Sequence, residues 1–318
     1  MTGKDTMKKF RNILFVSNAL QDETAAMKQA LSLSRNNEAT LKALLVCPGL
    51  PNSLDEYAAK YKEALTEQLA ESICKAQAAL KMEEKADSIP VVIESGSTPA
   101  IRIIRHVLRD SCDLVVKDAQ PSLDGKGFMA VDMELLRKCP SAVWLCRPIE
   151  QARDKIKVAV AIDAESLDRA GHDLALQLLQ ISRSLADTCS GQLDIVSCWD
   201  FEFEEYLHYN PWASVPKEQI SQAIAQTQSR NTHELARLIT ESGIGGDIKT
   251  HQLRGRAEKL IPTFVRDEKI DILVMGTVAR TGIAGFTMGN TAENIFNVLG
   301  CSLLALKPNG FASPVKAY

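Results

Sequence analysis

The sequence predicts an α/β protein made of two tandem domains, each built on a five-stranded parallel sheet. Segments of β-branched and apolar residues alternate with amphipathic helical patterns, which is typical of parallel α/β units. The same order of segments occurs twice, at a spacing of roughly 150 residues, so a whole domain is duplicated. A chain of 318 residues is long enough for two domains. We therefore expect a first domain at 1–150 and a second at 151–318, related by a pseudo-two-fold axis.

The first domain contains five strand-like segments. They lie at 12–17, 39–46, 90–93, 113–117 and 142–146. Helical patterns lie between them at about 22–35, 54–80, 101–108 and 133–138. The longest pattern carries apolar residues at three- and four-residue steps from Leu54 to Leu80, which is the stripe of an amphipathic helix. Successive strands are thus joined by helices, as a parallel sheet requires.

The second domain repeats this order. Its strand-like segments lie at 155–163, 193–198, 248–253, 271–275 and 303–306. The helical patterns between them include 167–185 and 217–242, and the second of these stops at Gly243, a typical C-cap residue. Gly96 and Gly255 each follow the third strand of their own domain. These matches identify the duplication.

A glycine-rich loop follows the fourth strand of the second domain. Its glycines are Gly276, Gly282, Gly285 and Gly289, and a helical pattern opens directly after them. Glycine permits a positive φ and lets the backbone approach a ligand closely. The unpaired N–H groups at the start of a helix form an anion site. The segment therefore predicts a site for a nucleotide phosphate.

The same loop resembles that of a known family. Gly276 and Ala279 are followed by nine residues, 280–288, and then by Gly289 and Asn290. The arrangement resembles the phosphate signature of the universal stress proteins, which is Gly, two residues, Gly, nine residues, Gly and then Ser or Thr. Together with the duplication, it is most similar to the tandem-domain members of that family.

The resemblance implies a Rossmann-like, adenine-nucleotide-binding domain with strand order 3-2-1-4-5. ATP or ADP, with Mg²⁺, would bind beyond the carboxyl ends of the first and fourth strands, where open α/β sheets bind ligands. By the same resemblance, Asp163 would face the adenine or ribose, and the backbone at Cys198 would lie beside the base. The phosphates would be surrounded by Gly276, Thr277, Ala279, Gly289, Asn290 and Thr291.

Two residues depart from the family signature. Ala279 replaces the second glycine, and its Cβ disfavours a positive φ by about 1 kcal/mol. Asn290 replaces the hydroxyl residue, although its amide can donate a hydrogen bond and Thr291 offers a hydroxyl. Two interpretations stay open. One is a ligand site, and the other is a helix start in which Asn290 and Glu293 form a capping box and no ligand binds.

The first domain has lost most of this pattern. Asn18 stands where Asp163 stands in the second domain, and Asp118 occupies the position of Gly276. A carboxylate at that position repels an anion, and the loop at 119–127 has lost the glycine spacing. We therefore expect no nucleotide site in the first domain.

Aromatic residues are concentrated after the second strand of the second domain. They are Trp199, Phe201, Phe203, Tyr206, Tyr209 and Trp212. This loop could wall an apolar pocket for a base or a lipid-like ligand, or it could pack internally between the domains. Arg254 and Arg256 flank Gly255, either as cations for phosphates or as part of a solvated turn.

Composition argues against several classes of function. The net charge of −3, the pI near 6.0 and the lack of a long basic run argue against a nucleic-acid surface. No apolar run approaches the roughly 20 residues that span a bilayer, and the first ten residues lack the apolar core of a signal peptide. We therefore expect no membrane contact and a cytoplasmic location. The five histidines show no metal-ligand spacing, and no nucleophile motif occurs.

Two functions follow from these observations. The first is a stress-response protein that binds a nucleotide or related small ligand through its second domain, with little or no catalysis and weak or absent ATP hydrolysis. The second is a ligand-free interaction protein whose domains act as a fused dimer. Family dimers pair through their last strands, so 142–146 and 303–306 could pair within one chain, and a homodimer through these edges is a further expectation. An enzyme on this scaffold is a weaker interpretation, because no catalytic motif accompanies the glycines.

Overall fold

The computed structural model describes residues 10–82, 89–120, 125–165, 168–209, 215–277 and 288–318. The strands are β1 (Asn12–Ser17), β2 (Thr40–Cys47), β3 (Val91–Ser95), β4 (Leu114–Asp118), β5 (Ala142–Cys146), β6 (Val158–Ala161), β7 (Gln192–Trp199), β8 (Asp247–Arg254), β9 (Ile272–Gly276) and β10 (Ser302–Leu306). The α-helices are α1 (Thr24–Asn37), α2 (Ala58–Ala79), α3 (Pro99–Asp110), α4 (Ala130–Lys138), α5 (Arg169–Asp187), α6 (Glu204–Tyr209), α7 (Lys217–Ser242), α8 (Ala257–Asp267) and α9 (Asn290–Phe296). The predicted α/β class is confirmed.

The strands form one sheet in the order β3-β2-β1-β4-β5-β10-β9-β6-β7-β8. Each half has the order 3-2-1-4-5 that the resemblance implied, and the strands within each half are parallel. The halves meet where β5 pairs with β10 in the antiparallel direction. The two predicted five-stranded sheets are therefore continuous with each other.

The junction corrects one expectation about partners. β5 is hydrogen-bonded to β4 on one side and to β10 on the other, and β10 is hydrogen-bonded to β5 and β9. Because both last strands are paired within the chain, they offer no free edge to a second chain. The expectation of a homodimer through these edges is therefore wrong, and the pairing within one chain is correct.

The antiparallel junction also separates the two candidate sites. Strands of the first half run opposite to those of the second, so the carboxyl ends of β1 and β4 lie at one edge of the sheet and those of β6 and β9 at the other. In open α/β sheets, ligands bind at the carboxyl ends of the strands. Each half therefore presents its own crevice, on opposite sides of the molecule.

Two hydrophobic cores cover the two faces of the sheet. One contains side chains of α1, α2, α5 and α7, and the other contains side chains of α3, α4, α8 and α9. Successive residues of β1 alternate between them: Ile13 and Phe15 face the first core, whereas Leu14 and Val16 face the second. A strand that is buried on both faces is apolar throughout. For this reason the central strands can be recognised in the sequence as continuous apolar runs.

Element boundaries follow local signals. The stripe predicted at 54–80 is divided into a 3₁₀ turn at Asn52–Tyr57 and α2. α7 ends as predicted at Gly243, which has a left-handed φ of 67°. In the described part of the chain, no helix is both long enough and apolar enough to cross a bilayer.

Candidate functional site

The candidate site lies at the carboxyl ends of β6, β7 and β9. The chain leaves β6 towards α5 on one face of the sheet, and it leaves β9 towards α9 on the other, which opens a crevice between them. Asp163 follows β6, Cys198 lies near the end of β7, and Gly276 ends β9. Parallel pairing therefore brings these three positions to one edge.

Hydrogen bonds define the base of the glycine loop. The Thr277 N–H donates to the Leu306 carbonyl at 3.1 Å, and the Gly289 N–H donates to the Thr277 carbonyl at 3.0 Å. Asn290 and Thr291 are exposed in the first turn of α9. Ala279 lies outside the described residues, as does the rest of 278–287.

The glycines at the two ends of the loop do not adopt the backbone conformation expected of them. Gly276 does not have a positive φ, and Gly289 has a φ of −71°. An added Cβ at 276 would lie 2.9 Å from Cδ2 of Leu174 on α5, so the end of that side chain would have to shift. The prediction of positive φ is therefore wrong at these two positions, and Gly276 lies in close contact with α5 instead.

The predicted capping box is also wrong. The N-cap residue of α9 is Gly289, which has no side chain to cap the helix, and Asn290 is the first helical residue. The Glu293 carboxylate does not return to the helix start but pairs with Arg137 on α4 of the first half. The first turn of α9 is therefore not capped by the side chains of Asn290 and Glu293.

Lys307 lies behind the base of the loop and was not identified from the sequence. Its ammonium group donates to Oγ1 of the buried Thr277 at 3.0 Å and to the carbonyl of Leu136. Burial lowers the pKa of Lys307 to about 8. Its alignment with Arg147 in the duplicated segments 144–148 and 304–308 could have indicated a basic residue at this position in both halves.

The corresponding edge of the first half is acidic. Glu23 accepts a hydrogen bond from Ser17, and Asp118 accepts one from Gln21 at 2.7 Å. Asp132 is completely buried and lies 2.9 Å from the Lys117 ammonium. Burial raises the pKa of Glu23 to about 7. Asp118 was predicted to repel an anion. Glu23 and Asp132 are two further carboxyl groups at this edge, and neither was identified from the sequence.

The loop of the first half is used as a contact between the halves. The Gly127 N–H donates to the Leu299 carbonyl at 3.0 Å. The Arg147 guanidinium donates to the carbonyls of Gly125 at 3.2 Å and of Leu299 at 3.3 Å. The residues that align with a phosphate loop thus hold the second half of the molecule in place.

The aromatic loop after β7 is partly packed and partly exposed. Trp199 is buried, whereas Phe203 is 63% exposed and Tyr206 is 72% exposed. Arg254 lies 5.7 Å from the centre of the Trp199 ring and pairs with Glu204, so it is engaged within the protein. The indole N–H of Trp199 is buried and has no hydrogen-bond partner in the structure described. Trp212 lies outside the described residues.

The polar groups in the crevice are weak candidates for catalysis. Burial raises the pKa of the half-buried Cys198 thiol to about 12, so this thiol is protonated and a poor nucleophile. An oxygen of Asp163 accepts a hydrogen bond from the Glu165 N–H at 3.2 Å. Within the described ranges, no group of three or more His, Cys, Asp and Glu residues is placed to hold a metal ion.

Comparison with known proteins gives consistent matches along the chain. The sequence profile described as "Universal stress protein family" matches residues 9–147 and 157–307. Universal stress protein E of Photorhabdus laumondii is 27% identical, over 98% of this chain and 99% of that protein. Universal stress protein E of Escherichia coli K12 is 26% identical, over 98% of each chain.

Solved structures show the same fold over nearly the whole chain. A functionally unknown protein from Pseudomonas aeruginosa PAO1 has a TM-score of 0.69 at 22% identity and covers 96% of this chain and 95% of its own. A universal stress protein from Archaeoglobus fulgidus has a TM-score of 0.62 at 15% identity and covers 93% of this chain and 98% of its own. At these identities the likeness is one of fold.

Proposed function

The chain belongs to the universal stress protein family and carries the family domain twice, and on this basis we propose that its second domain binds a nucleotide or related small ligand in a stress response, with little or no catalysis. The ligand would lie beyond the carboxyl ends of β6 and β9. The residues proposed to surround it are Asp163, Cys198, Gly276, Thr277, Ala279, Gly289, Asn290 and Thr291.

A difference in charge between the halves carries this proposal. The first half has Glu23, Asp118 and Asp132 at or beside the carboxyl end of its central strands. The equivalent edge of the second half has Gly276 at the end of β9 and the Lys307 ammonium behind it. The first half also holds the cations Lys117 and Arg147, so the difference lies at the position of Gly276. The Asp118 carboxylate at that position would repel a phosphate, whereas Gly276 carries no charge and has the Lys307 ammonium behind it.

ATP or ADP with Mg²⁺ is the ligand that the family implies, and Trp199 supports a ligand with acceptor atoms. A buried donor without a partner costs about 1–3 kcal/mol, and the Trp199 indole N–H is buried without a partner among the described residues. The bases and phosphates of nucleotides supply acceptors. Mg²⁺ is usually held by phosphates and water with few protein ligands, so the lack of an acidic metal cluster in the described part of the chain does not conflict with it.

Low catalytic power follows from the same residues. Cys198 remains a thiol, and activation of water requires a base within hydrogen-bond reach of it. We propose that ATP hydrolysis is weak or absent. Turnover above background that is lost in Gly289→Val would contradict this.

The decisive measurement is mass spectrometry of small molecules released from the purified protein, followed by calorimetry with ATP and ADP in the presence of Mg²⁺. Release or binding of either nucleotide supports the proposal. An empty protein that binds neither overturns it and favours the fused-dimer alternative. That alternative is supported by the loop at Gly127, which is already engaged with the other half. Release of an acyl compound would favour an apolar ligand against the exposed Phe203 and Tyr206.

A matched pair of variants locates the site. Gly289 has a φ of −71°, which valine adopts without strain, so Gly289→Val should fold while its side chain fills the base of the loop. Ala130 is the aligned residue of the first half and is exposed at the start of α4. We expect Gly289→Val to lose ATP binding and Ala130→Val to keep it. Equal binding by both variants would contradict a site in the second domain.

A further inference from the structure

Lys307 directly follows β10 and lies next to the residue that begins the glycine loop. Its ammonium group donates to Thr277 Oγ1 at 3.0 Å and to the Leu136 carbonyl at the end of α4, and it lies 4.7 Å from the centre of the Phe311 ring. The Thr277 carbonyl accepts the Gly289 N–H that closes the loop. The ammonium group is therefore hydrogen-bonded to Thr277, the residue at the base of the proposed phosphate site.

The contacts of Lys307 are all neutral. They are a hydroxyl, a carbonyl and an aromatic ring, and no Asp or Glu in the described ranges forms an ion pair with its ammonium group. The titratable group that faces it from the end of α4 is the Cys139 thiol, whose pKa burial raises to about 11. Buried charges in proteins are normally paired. Lys307 therefore has no carboxylate counter-charge among the described residues.

The equivalent cation of the first half has different surroundings. Arg147 follows β5 as Lys307 follows β10, and it donates to backbone carbonyls that include those of Gly125 and Leu299. Burial lowers the pKa of Arg147, whereas Cys301 and the carboxylates of Asp132 and Asp118 act in the opposite direction. Neither Arg147 nor Lys307 forms an ion pair with Asp or Glu in the described ranges, but Arg147 has two carboxylates near enough to favour its charged form. At Lys307 the Cys139 thiol alone acts against the effect of burial.

We propose that Lys307 is a positioning residue for an anionic group, a phosphoryl or similar oxyanion, on the ligand of the second domain. This inference rests on the proposed function and adds to it a residue that acts on the anionic part of the ligand. The ammonium group attracts the anion through the low-dielectric base of the loop and holds the Thr277 hydroxyl in place. The bound anion supplies the missing counter-charge, so binding favours the charged form of Lys307.

Calorimetry with ADP and with adenosine separates the contribution of the ligand's phosphate charge from that of its nucleoside part. Lys307→Met should weaken ADP binding by about tenfold or more, because the attraction between the ammonium group and the phosphates is lost. It should leave adenosine binding unchanged, because adenosine carries no phosphate. Lys307→Arg keeps the charge and uses the residue found at Arg147, so it should restore ADP affinity.

Proton uptake is a readout that a purely structural role would not change. Titrations with ADP near pH 8, in two buffers of different ionisation enthalpy, should show that the wild-type protein takes up part of a proton as the pKa of Lys307 rises. Lys307→Arg should show none, because arginine is charged throughout this range. The proton-uptake experiment uses only the wild-type protein and Lys307→Arg, so it tests the proposal even if Lys307→Met fails to fold.

Four results would count against the inference. Equal losses of ADP and adenosine binding in Lys307→Met, or proton uptake that persists in Lys307→Arg, would overturn it and leave the proposed function standing. Unchanged ADP affinity in Lys307→Met would do the same. If the wild-type protein binds neither ADP nor adenosine, the inference and the proposed function are both overturned.

Discussion

Trp144 and Leu304 face each other across the antiparallel β5–β10 pair, and each is also the counterpart of the other in the duplicated sequence. A residue that pairs with its own counterpart marks the pseudo-two-fold axis, which therefore passes between these two positions. Both side chains belong to the core that is shared by α1, α2, α5 and α7. The duplication thus recreates within one chain an isologous interface of the kind found in symmetric dimers.

The contact between the first-half loop and the second half can be tested with two glycines. Gly127 and Gly125 have φ values of 68° and 73°, so alanine is strained at both. A Cβ at Gly127 would lie 2.3 Å from the Asn297 carbonyl oxygen, whereas a Cβ at Gly125 meets nothing within 4 Å. Gly127→Ala should destabilise the protein by at least about 2 kcal/mol and Gly125→Ala by about 1 kcal/mol. Equal urea midpoints for the two variants would show that the clash is relieved.

The buried pair of Lys117 and Asp132 should behave as a coupled unit. Their charged groups lie 2.9 Å apart, and both side chains are almost completely buried. Removing one partner leaves an unpaired buried charge, so Lys117→Met or Asp132→Leu should each cost about 3–5 kcal/mol. The double variant should cost less than the sum of the two. A double-mutant cycle in urea measures this coupling, and strictly additive losses would contradict it.

Stability should fall with rising pH because of Glu23. Burial raises the pKa of its carboxyl group from 4.5 to about 7, so the folded state holds this proton more tightly than the unfolded state does. Between these two pH values the unfolded chain ionises first, and the free energy of unfolding falls by at most about 3 kcal/mol. Glu23→Gln should remove this part of the pH dependence.

The control for Glu23 is Glu63→Gln, which changes an exposed carboxyl group on α2. Urea denaturation from pH 4.5 to pH 8 should give the wild-type slope for Glu63→Gln and a flatter slope for Glu23→Gln. Identical slopes for the two variants would mean that Glu23 is not the titrating group.

The indole N–H of Trp199 should report ligand binding directly. Trp199 lacks a partner in the described structure, whereas the indole N–H of Trp144 donates to Gln29 at 3.0 Å. In ¹⁵N-tryptophan spectra, ADP should shift the Trp199 signal strongly and leave the Trp144 signal in place. Trp199→Phe identifies the signal. If ADP binds and the Trp199 signal does not move, the ligand does not use this donor.

Much of the fold could be predicted from the sequence because its signals are local. β1 and β5 occur at the residues predicted, since strands buried on both faces are continuous apolar runs. α7 ends at Gly243 because glycine closes helices in the left-handed conformation. The strand order and the pairing of the last strands both came from the family resemblance.

The candidate site was only partly predictable, because its decisive contacts join distant parts of the chain. Gly276 packs closely against Leu174 on another helix, and Glu293 turns towards Arg137 in the other half. Glu23 gave no sequence signal, since its raised pKa arises from burial. At Gly276 and Glu293 the residue type suggested a role, but neighbouring side chains changed it.

The sequence by itself determined the duplication, the α/β class and the loss of the phosphate pattern in the first domain, because these depend on periodicity and residue identity. Only the tertiary structure decided that the last strands pair within the chain, which sets the carboxyl edges of the halves on opposite sides, and that Lys307 donates to Thr277 just after β9. Antiparallel pairing sets those edges, and it brings residues as far apart as Leu136 and Lys307 into contact. Such contacts depend on how strands pair in space, which no local pattern encodes.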